Sequence, residues 1–231
     1  MPAAKPEAEG FSLSARVEGV SKLFGSFAAL RQVSADFEPG RCYVVLGENG
    51  AGKSTLLRVL AGLLRPSFGK VRVFGDLEPQ QARARIGYMS HAAMLYDELT
   101  AEENLRYFAS LYSSACPDRK CLSPAEALRQ AGLDPALDRP LGQYSQGMRQ
   151  RTALARVLLP APELLLLDEP FSNMDIESAR QMVELLARFR RNNRTIVLTT
   201  HQRDLAAPIA DRVLTLQAGR LISISPGEPT L

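Results

Sequence analysis

A glycine-rich segment of eight residues has the residue types and spacing that most directly indicate chemistry. It fits G-x-x-x-x-G-K-[ST], and its residues, with the threonine that follows, are Gly47, Glu48, Asn49, Gly50, Ala51, Gly52, Lys53, Ser54 and Thr55. Glycines let backbone N–H groups converge on phosphate oxygens, and the N-terminus of a following helix adds positive potential. Lys53 is expected to reach the β- and γ-phosphates, and the Ser54 hydroxyl to ligate Mg²⁺. The alternative is a tight turn with a surface lysine, but an apolar strand precedes the segment and an amphipathic helix follows it. The segment therefore predicts a site for a nucleoside triphosphate.

Two adjacent carboxylates follow the most apolar strand of the sequence. Four leucines at 164–167 precede Asp168 and Glu169, and ligands bind at the carboxyl ends of strands in such sheets. Asp168 is predicted to hold Mg²⁺ through its water shell, and Glu169 to orient and polarise an attacking water. His201 follows the apolar segment 195–200 and is predicted to contact the γ-phosphate. The alternatives are a helix N-cap with an exposed acid, and a structural histidine. With Lys53, these residues make up the predicted catalytic group.

Short apolar strands that alternate with helices are expected to position these groups. Strands are predicted over 13–20, 33–38, 41–46, 71–74, 86–89, 164–167, 195–200, 212–216 and 221–224. Helical spacing of apolar residues follows Ser54 and recurs at 176–189, and the middle of the chain, about 100–156, is predicted to be mostly helical. Near-continuous apolar strands between helices indicate a parallel sheet covered on both faces, with the helical middle inserted into it.

The composition is that of an ordinary globular protein. The chain has 231 residues, 28 Lys and Arg against 25 Asp and Glu, a net charge of +3 and 45% hydrophobic residues. We expect a disordered tail at 1–10, rich in Ala, Pro and Glu, and a single domain at 11–231. No stretch approaches the roughly 20 apolar residues of a membrane-spanning helix, and the first residues do not resemble a secretory signal. We therefore expect a soluble chain that stays in the cytosol.

Charge and cysteine content argue against two other kinds of function. The near-neutral charge disfavours nucleic acid as the main ligand, so no nucleic-acid partner is expected. One basic run follows a predicted helix and consists of Arg188, Arg190, Arg191 and Arg194. It is interpreted as a solvated helix C-terminus, with a phosphate-binding patch as the alternative. Three cysteines and two histidines at no zinc-ligand spacing argue against a zinc site or a disulfide framework. Cys42 lies among apolar residues and is predicted to be a buried small hydrophobe.

These motifs, in this order, resemble those of the ATP-binding subunits of ABC transporters, from about residue 13 to residue 221. The resemblance implies an α/β fold of the P-loop NTPase (RecA-like) class. Such a fold has a mostly parallel sheet core, a small antiparallel β subdomain and an inserted α-helical subdomain, here about 92–158. It also implies ATP as the nucleotide, Mg²⁺ as its metal ion and ATP hydrolysis coupled to transport.

A pentapeptide resembles the signature segment of the family, which is close to Leu-Ser-Gly-Gly-Gln and binds the γ-phosphate held by the other subunit. Here it is Tyr144-Ser145-Gln146-Gly147-Met148. A serine hydroxyl and backbone N–H groups at a helix N-terminus suit an anion. Gln146 replaces the first glycine of the segment and Met148 its final glutamine. Ser145 and Gly147 match it, and are expected to contact phosphate.

Three further residues match nucleotide-contacting positions of the family. Asp175 corresponds to the acidic end of the D-loop. Phe24 corresponds to the aromatic residue that stacks on adenine, and a core phenylalanine on the small antiparallel sheet is the alternative. His91 stands where the family usually has a glutamine that senses Mg²⁺ and the attacking water. Because the charge of a histidine depends on pH, a pH-dependent coupling step is a hypothesis for His91.

The resemblance also implies two protein partners. One is a second ATPase subunit, most simply an identical copy, joined head to tail so that each ATP lies between the phosphate loop of one subunit and the signature of the other. The second is a transmembrane permease that docks near Met94, Leu95 and Tyr96, with Leu95 and Tyr96 as the expected contact residues. The location implied is cytoplasmic, peripheral on the inner face of the cell membrane.

The transported substance is less directly indicated. His91, the run 95–105 and Thr199-Thr200-His201-Gln202 resemble the haem-exporter ATPase of cytochrome c maturation. The run from Tyr144 to Arg151 is shared in outline with short exporters of drugs or ions. A soluble ABC-type ATPase acting on nucleic acid or ribosomes is a third hypothesis, although such relatives usually carry two ATPase cores, coiled coils or zinc inserts. A nucleotide-binding module without hydrolysis is disfavoured by Glu169 and His201.

Overall fold

The structure is a computed structural model that describes residues 13–115 and 121–231. The predicted tail, 1–10, lies outside the described residues. Nine strands are formed in the described part of the chain: β1 Ala15–Phe24, β2 Phe27–Phe37, β3 Cys42–Leu46, β4 Phe68–Val73, β5 Ile86–Met89, β6 Leu164–Asp168, β7 Thr195–Thr199, β8 Arg212–Gln217 and β9 Arg220–Pro226. The helices are α1 Lys53–Leu60, α2 Ala101–Ala115, α3 Pro124–Gln130, α4 Gln146–Leu158, α5 Ile176–Arg191 and α6 Arg203–Ala206.

The strands form two sheets. In the larger sheet the order is β5-β6-β7-β3-β8-β9, and only the β8–β9 pair is antiparallel. The smaller sheet is antiparallel, in the order β2-β1-β4. Helices α2, α3 and α4 lie between β5 and β6 in the sequence. The predicted α/β fold, with a mostly parallel core, a small antiparallel sheet and inserted helices, is therefore confirmed.

The first four residues of strand β6 are all leucine because both faces of the larger sheet are covered. Leu164 and Leu166 pack into one buried cluster with α1 and the smaller sheet, whereas Leu165 and Leu167 pack into a second cluster with α4 and α5. A third cluster lies among α2, α3 and α4. Parallel strands buried on both faces are expected to lack the alternation of apolar and polar residues seen in half-exposed strands.

The predicted boundaries are wrong mainly in the smaller sheet. β1 continues to Phe24 and β2 already begins at Phe27, whereas strands were predicted over 13–20 and 33–38. The register of the β1–β2 pair shifts at three places between Val17 and Leu23. Each shift moves later side chains relative to the two sheet faces, so the period-two signal is lost along these strands.

A buried amide connects α2 to the loop that precedes it. Asn104 is fully buried on α2, and its Nδ2 donates to the carbonyls of Tyr96 and Thr100, each at 2.9 Å. Its Oδ1 accepts from the Tyr96 N–H at 2.8 Å. These bonds satisfy the backbone of the loop that enters α2, so the loop and the helix are held together.

Two other sequence expectations can be compared with the fold. Cys42 is buried, as predicted, and burial raises the pKa of its thiol. The basic run is only partly solvated, which corrects the interpretation of a solvated helix end. Arg190 Nη1 donates to the Ile209 carbonyl at 3.1 Å, and the Arg194 guanidinium lies over the Phe189 ring, where burial lowers its pKa. Helices long and apolar enough to cross a bilayer are not found in the parts of the chain that the structure describes.

Candidate functional site

Most of the predicted site residues line one open cavity of about 960 Å³ at the carboxyl end of the larger sheet. The predicted residues around it are Phe24, Gly47, Glu48, Asn49, Gly50, Gly52, Lys53, Ser54, Thr55, His91, Asp168, Glu169 and His201. They come from the smaller sheet, the β3–α1 loop and the ends of β5, β6 and β7. The topology therefore brings together residues that are up to 177 positions apart in the sequence, as between Phe24 and His201.

The glycine-rich loop connects β3 to α1 and folds around the lysine side chain. Gly52 is the N-cap of α1 with φ of 101°, and a Cβ atom there would lie 2.5 Å from the Ala29 carbonyl oxygen. Both the backbone conformation and the lack of space require glycine. Lys53 Nζ donates to the Gly47 carbonyl at 2.7 Å and to the Glu48 carbonyl at 3.2 Å. The ammonium group is thus held inside the loop, where a phosphate group would approach the helix N-terminus.

The predicted metal ligands are in direct contact. Ser54 Oγ donates to Asp168 Oδ1 at 2.9 Å, and Asp168 is buried at the end of β6. Thr199 Oγ1 donates to the same oxygen at 2.8 Å. A hydroxyl and a carboxylate on facing elements are the oxygen donors that Mg²⁺ takes when most of its other ligands are water and phosphate. The residues present therefore fit the metal ion that the sequence predicts.

Thr199 also belongs to this site, although it is not among the predicted residues. It lies opposite Asp168 in the β6–β7 register, and its hydroxyl also accepts the Glu169 N–H at 3.0 Å. The apolar segment 195–200 that contains it is predicted from the sequence, but only the register shows that its side chain faces the Asp168 carboxylate and the Glu169 N–H. A threonine at the end of a buried strand next to such carboxylates would have been the available signal.

Glu169 and His201, which the sequence predicts to be catalytic, lie side by side in the structure. Glu169 has φ of 52°, and its N–H also donates to the Thr199 carbonyl at 3.2 Å. Its Oε2 lies 3.1 Å from His201 Nδ1 and its Oε1 lies 3.9 Å from Lys53 Nζ. A left-handed backbone conformation at a non-glycine residue costs free energy, so it persists only where neighbouring residues hold it in place. Such residues are typical of active sites. The carboxylate and the imidazole are in direct contact and both line the cavity, so each can contact a water or a phosphate group bound there.

Two aromatic rings form the far end of the cavity. Phe24 is 49% exposed and Phe27 is 60% exposed, and the two residues are paired across the β1–β2 turn. Phe24 is therefore not a core residue of the smaller sheet, and that alternative is wrong. Lys22 Nζ lies 5.2 Å from the centre of the Phe24 ring. Phe27 was not predicted, although its position directly across a two-residue turn from Phe24 could have indicated it.

His91 is exposed and lines the cavity where β5 ends. Arg58 lines the cavity as well, although it is not among the predicted residues. Arg58 Nε donates to the Tyr88 hydroxyl at 3.4 Å, so α1 and β5 are connected at this end of the cavity. The hypothesis that His91 makes a coupling step depend on pH stays a prediction.

The signature residues do not line this cavity. Ser145 and Gln146 are exposed and Gly147 is buried, at the start of α4. The Ser145 hydroxyl accepts the Met148 N–H at 3.3 Å as the N-cap of α4. Within one chain, therefore, the structure does not bring the signature residues to the phosphate loop, and their predicted phosphate contact requires a second subunit.

Two other predicted contact residues also lie away from the cavity. Ala51 belongs to the phosphate loop, but its side chain is buried in the first cluster. Asp175 is the N-cap of α5, and its carboxylate accepts the Ser178 N–H at 2.9 Å and the Ser178 hydroxyl at 2.7 Å. These hydrogen bonds hold the pKa of Asp175 below its ordinary value. Neither side chain lines the cavity of its own chain. The Asp175 carboxylate caps α5, and the Ala51 side chain faces the interior.

The predicted permease contact is only partly exposed. Met94 is 65% exposed and Tyr96 is 47% exposed. Leu95 is half-buried and packs against the second and third clusters, so only part of its side chain is available to a partner. Tyr107 lies edge-on to Tyr96 at 5.4 Å and is also exposed. The exposed apolar surface here is thus formed by Met94, Tyr96 and Tyr107.

The fold and the cavity define a P-loop nucleotide-binding ATPase core with an inserted helical region. The sequence model of the ABC transporter family matches residues 30–172, and the chain belongs to this family. It is an ABC-type ATP hydrolase and the ATPase subunit of a transporter.

The relatives and solved structures agree with this family. NatA, an ABC transporter ATP-binding protein of Bacillus subtilis, is 36% identical over 198 residues, covering 84% of this chain and 80% of that protein. A Nod factor export ATP-binding protein I of Rhizobium leguminosarum is 36% identical over 91% of this chain and 68% of its own length. A fluoroquinolones export ATP-binding protein of Mycobacterium tuberculosis is 38% identical over 92% of this chain and 71% of its own length. The dimeric post-hydrolysis structure of the ATP-binding cassette MJ0796, bound to ADP and Pi, has a TM-score of 0.79 at 26% identity, covering 92% of this chain and 98% of that one.

Proposed function

We propose that residues 11–231 act as one ABC ATPase domain that hydrolyses Mg²⁺–ATP in a head-to-tail dimer and drives a transmembrane permease. The proposal is based on one observation: within a single chain, the predicted site residues lie in two separate places. The phosphate loop, Asp168, Glu169 and His201 line the cavity, whereas Ser145 lies on α4 outside it. A second copy would supply its own signature helix to complete the site. The dimeric MJ0796 cassette bound to ADP and Pi supports this arrangement.

Each residue around the cavity has a distinct role in the proposed reaction. The loop N–H groups and Lys53 bind the β- and γ-phosphates, and the Phe24 ring stacks on adenine. Ser54 and Asp168 hold Mg²⁺, which would neutralise phosphate charge when bound. Glu169 aligns the attacking water with the γ-phosphorus and, as general base, takes its proton as the new P–O bond forms and the bond to the leaving ADP oxygen breaks. His201 keeps the Glu169 carboxylate in place and contacts the γ-phosphate. Catalysis is therefore mainly positioning and charge stabilisation.

The first experiment separates ATP binding from hydrolysis. Glu169→Gln keeps the shape of the side chain but cannot accept the proton of water, so we expect ATP binding to persist and turnover to be lost. The variant should also accumulate an ATP-bound dimer in size-exclusion chromatography. Glu184→Gln, an exposed position on α5, is the matched control and should hydrolyse ATP like the wild type. Normal turnover by Glu169→Gln would contradict the assigned general base.

The permease is proposed to dock on the exposed surface formed by Met94, Tyr96 and Tyr107. This surface follows His91 directly, so a helix seated on it would lie next to one wall of the cavity. Tyr96→Glu places a charge on the surface and should release the chain from native membranes while ATP binding is retained. Phe68→Glu, at an exposed apolar position of β4, is the control. Unchanged membrane association of Tyr96→Glu would contradict the docking site, together with the proposed location on the inner face of the membrane.

For the transported substance we propose export of a small molecule or ion, because two of the relatives described above are named as export proteins. Haem, which the sequence patterns suggested, is not in the names of those relatives and rests on the patterns alone. Purification of the chain from solubilised native membranes, followed by mass spectrometry, tests both. Cytochrome c maturation subunits would support haem, and a drug or ion permease would support the alternative. Recovery of ribosomes or nucleic acid without a permease would contradict the transporter proposal.

A further inference from the structure

Helices α4 and α5 approach each other too closely at Gly147 for any side chain to fit there. Gly147 is buried, and a methyl group on its Cα would lie 2.6 Å from Ser178 Oγ and 2.7 Å from Ser178 Cβ. Its φ is in the ordinary negative range, so the backbone conformation itself would accept an L-residue. Glycine is therefore required at this position for space. The atoms that occupy this space belong to α5 of the same chain.

Ser178 cannot move aside without breaking the start of α5. Its N–H and its hydroxyl both donate to the Asp175 carboxylate, at 2.9 Å and 2.7 Å. Asp175 is the N-cap of α5, so the position of Ser178 is tied to the end of the segment 170–175. A larger residue at 147 would consequently have to displace α4 relative to that segment.

The same segment begins in the nucleotide cavity. Ser172 and Asn173 line the cavity beside Glu169. Gln150, nearly one turn after Gly147 on α4, is buried, and its Nε2 lies 3.4 Å from Ser172 Oγ. Helix α4 thus contacts the 170–175 region twice, once at Ser172 and once through Ser178. Two contacts fix both the position and the direction of the start of α4.

We infer that Gly147 and Ser178 are positioning residues whose close contact fixes the signature helix to the segment that leaves the chain's own ATP cavity. A movement of residues 170–175 when the cavity fills or empties would then carry α4 with it. This inference rests on the proposed function, in which the start of α4 faces the ATP of the second copy. It gives Gly147 a role inside its own chain, beside the phosphate contact expected from the sequence.

The test is a pair of compensating substitutions. In Gly147→Ala we expect kcat to fall about 10- to 100-fold, the scale of a misplacement by about 1 Å, while ATP binding to the monomer is unchanged. ATP-dependent dimer formation, measured by size-exclusion chromatography in the Glu169→Gln background, should fall as well. Ser178→Gly removes both atoms that clash with the new methyl group. The double variant Gly147→Ala/Ser178→Gly should therefore recover most of the lost rate and dimer, whereas Ser178→Ala, which keeps the Cβ at 2.7 Å, should recover less.

The control is another glycine close to α4. A methyl group on Gly142 would be 3.4 Å from its nearest neighbour, the Asp97 carbonyl oxygen, which is an ordinary contact. Gly142→Ala should hydrolyse ATP like the wild type. Binding of a fluorescent ATP analogue by Gly147→Ala would show that the variant is folded, so that a lower rate is assigned to position and not to unfolding.

Two results would overturn the inference. One is full activity of Gly147→Ala, and the other is a double variant as impaired as the single one, which would mean that glycine is needed for contact with the partner's phosphate. Failure of the proposed function would be recognised separately, as absence of hydrolysis and of dimer in the wild type. Thermal unfolding would still test the contact in that case. Alanine favours helices over glycine, so a lower melting temperature of Gly147→Ala that Ser178→Gly reverses can only come from the clash.

Discussion

Replacing Thr199 by valine removes one hydroxyl from the centre of the site and leaves its shape almost unchanged. The hydroxyl is fully buried, donates to Asp168 Oδ1 at 2.8 Å and accepts the Glu169 N–H at 3.0 Å. The Glu169 N–H retains the Thr199 carbonyl at 3.2 Å, so the main loss is the bond to the carboxylate. A hydrogen bond to a charged group contributes about 1.5–3 kcal/mol. We expect the free energy of unfolding to fall by about 2 kcal/mol.

The same substitution should weaken the response to Mg²⁺. Asp168 Oδ1 would keep only the bond from Ser54 Oγ, so the carboxylate is less well oriented as a metal ligand. Loss of about 1.4 kcal/mol of binding free energy corresponds to a tenfold higher Mg²⁺ concentration at half-maximal rate. Urea unfolding followed by circular dichroism measures stability, since the chain has no tryptophan. A titration of ATPase rate against Mg²⁺ measures the second effect.

Thr195→Val is the matched control, because it makes the same change at the other end of β7. The Thr195 hydroxyl is buried, lies 2.7 Å from Ser14 Oγ and accepts the Gly40 N–H at 3.0 Å, far from the carboxylates. Thr195→Val should lower stability and leave the Mg²⁺ dependence unchanged. If Thr199→Val and Thr195→Val gave the same Mg²⁺ titration, the positioning of Asp168 by Thr199 would be refuted.

Three further predictions concern the base, the signature helix and the buried thiol. Phe24→Ala should raise the KM for ATP by loss of a stacking interaction of about 1–3 kcal/mol, whereas Phe68→Ala, exposed on the same sheet, should not. Ser145→Ala should lower the free energy of unfolding by about 1 kcal/mol through loss of the N-cap, and Ser145→Asp should restore stability in urea but not ATP-dependent dimer formation. Burial raises the pKa of the Cys42 thiol, so raising the pH to 9 should leave it in the unreactive thiol form. Alkylation followed by peptide mass spectrometry should therefore label Cys42 only after unfolding, with half-buried Cys121 labelled in the native chain. Native labelling of Cys42 would contradict its burial.

The contrast between the two sheets shows where sequence patterns are sufficient. β5, Ile86–Met89, was predicted with its observed bounds, and β6 and β7 to within one residue at their ends. These strands are buried on both faces, so a continuous apolar run marks them whatever their neighbours are. The register between β1 and β2 is interrupted, and the length of each strand depends on its pairing with the other. A local sequence pattern does not show this pairing.

The same distinction applies to the candidate site. Lys53, Ser54, Asp168 and Glu169 were identified because phosphate and metal chemistry requires these residue types next to a strand end, and this requirement is local in sequence. Thr199 and Phe27 were missed, since their importance lies in what they face across a sheet register or a hairpin.

The phosphate loop, the carboxylates and the resemblance to the family are all recognisable in the amino-acid sequence alone. The packed structure is needed to see that Asp175 caps α5, that Leu95 is partly buried against two clusters and that Gly147 lies against Ser178. The difference lies in how far apart the interacting residues are in the sequence. Backbone conformation and ligand chemistry are encoded by neighbours in the sequence, whereas burial and hydrogen-bond partners are set by elements that meet only after the sheets and helices have packed.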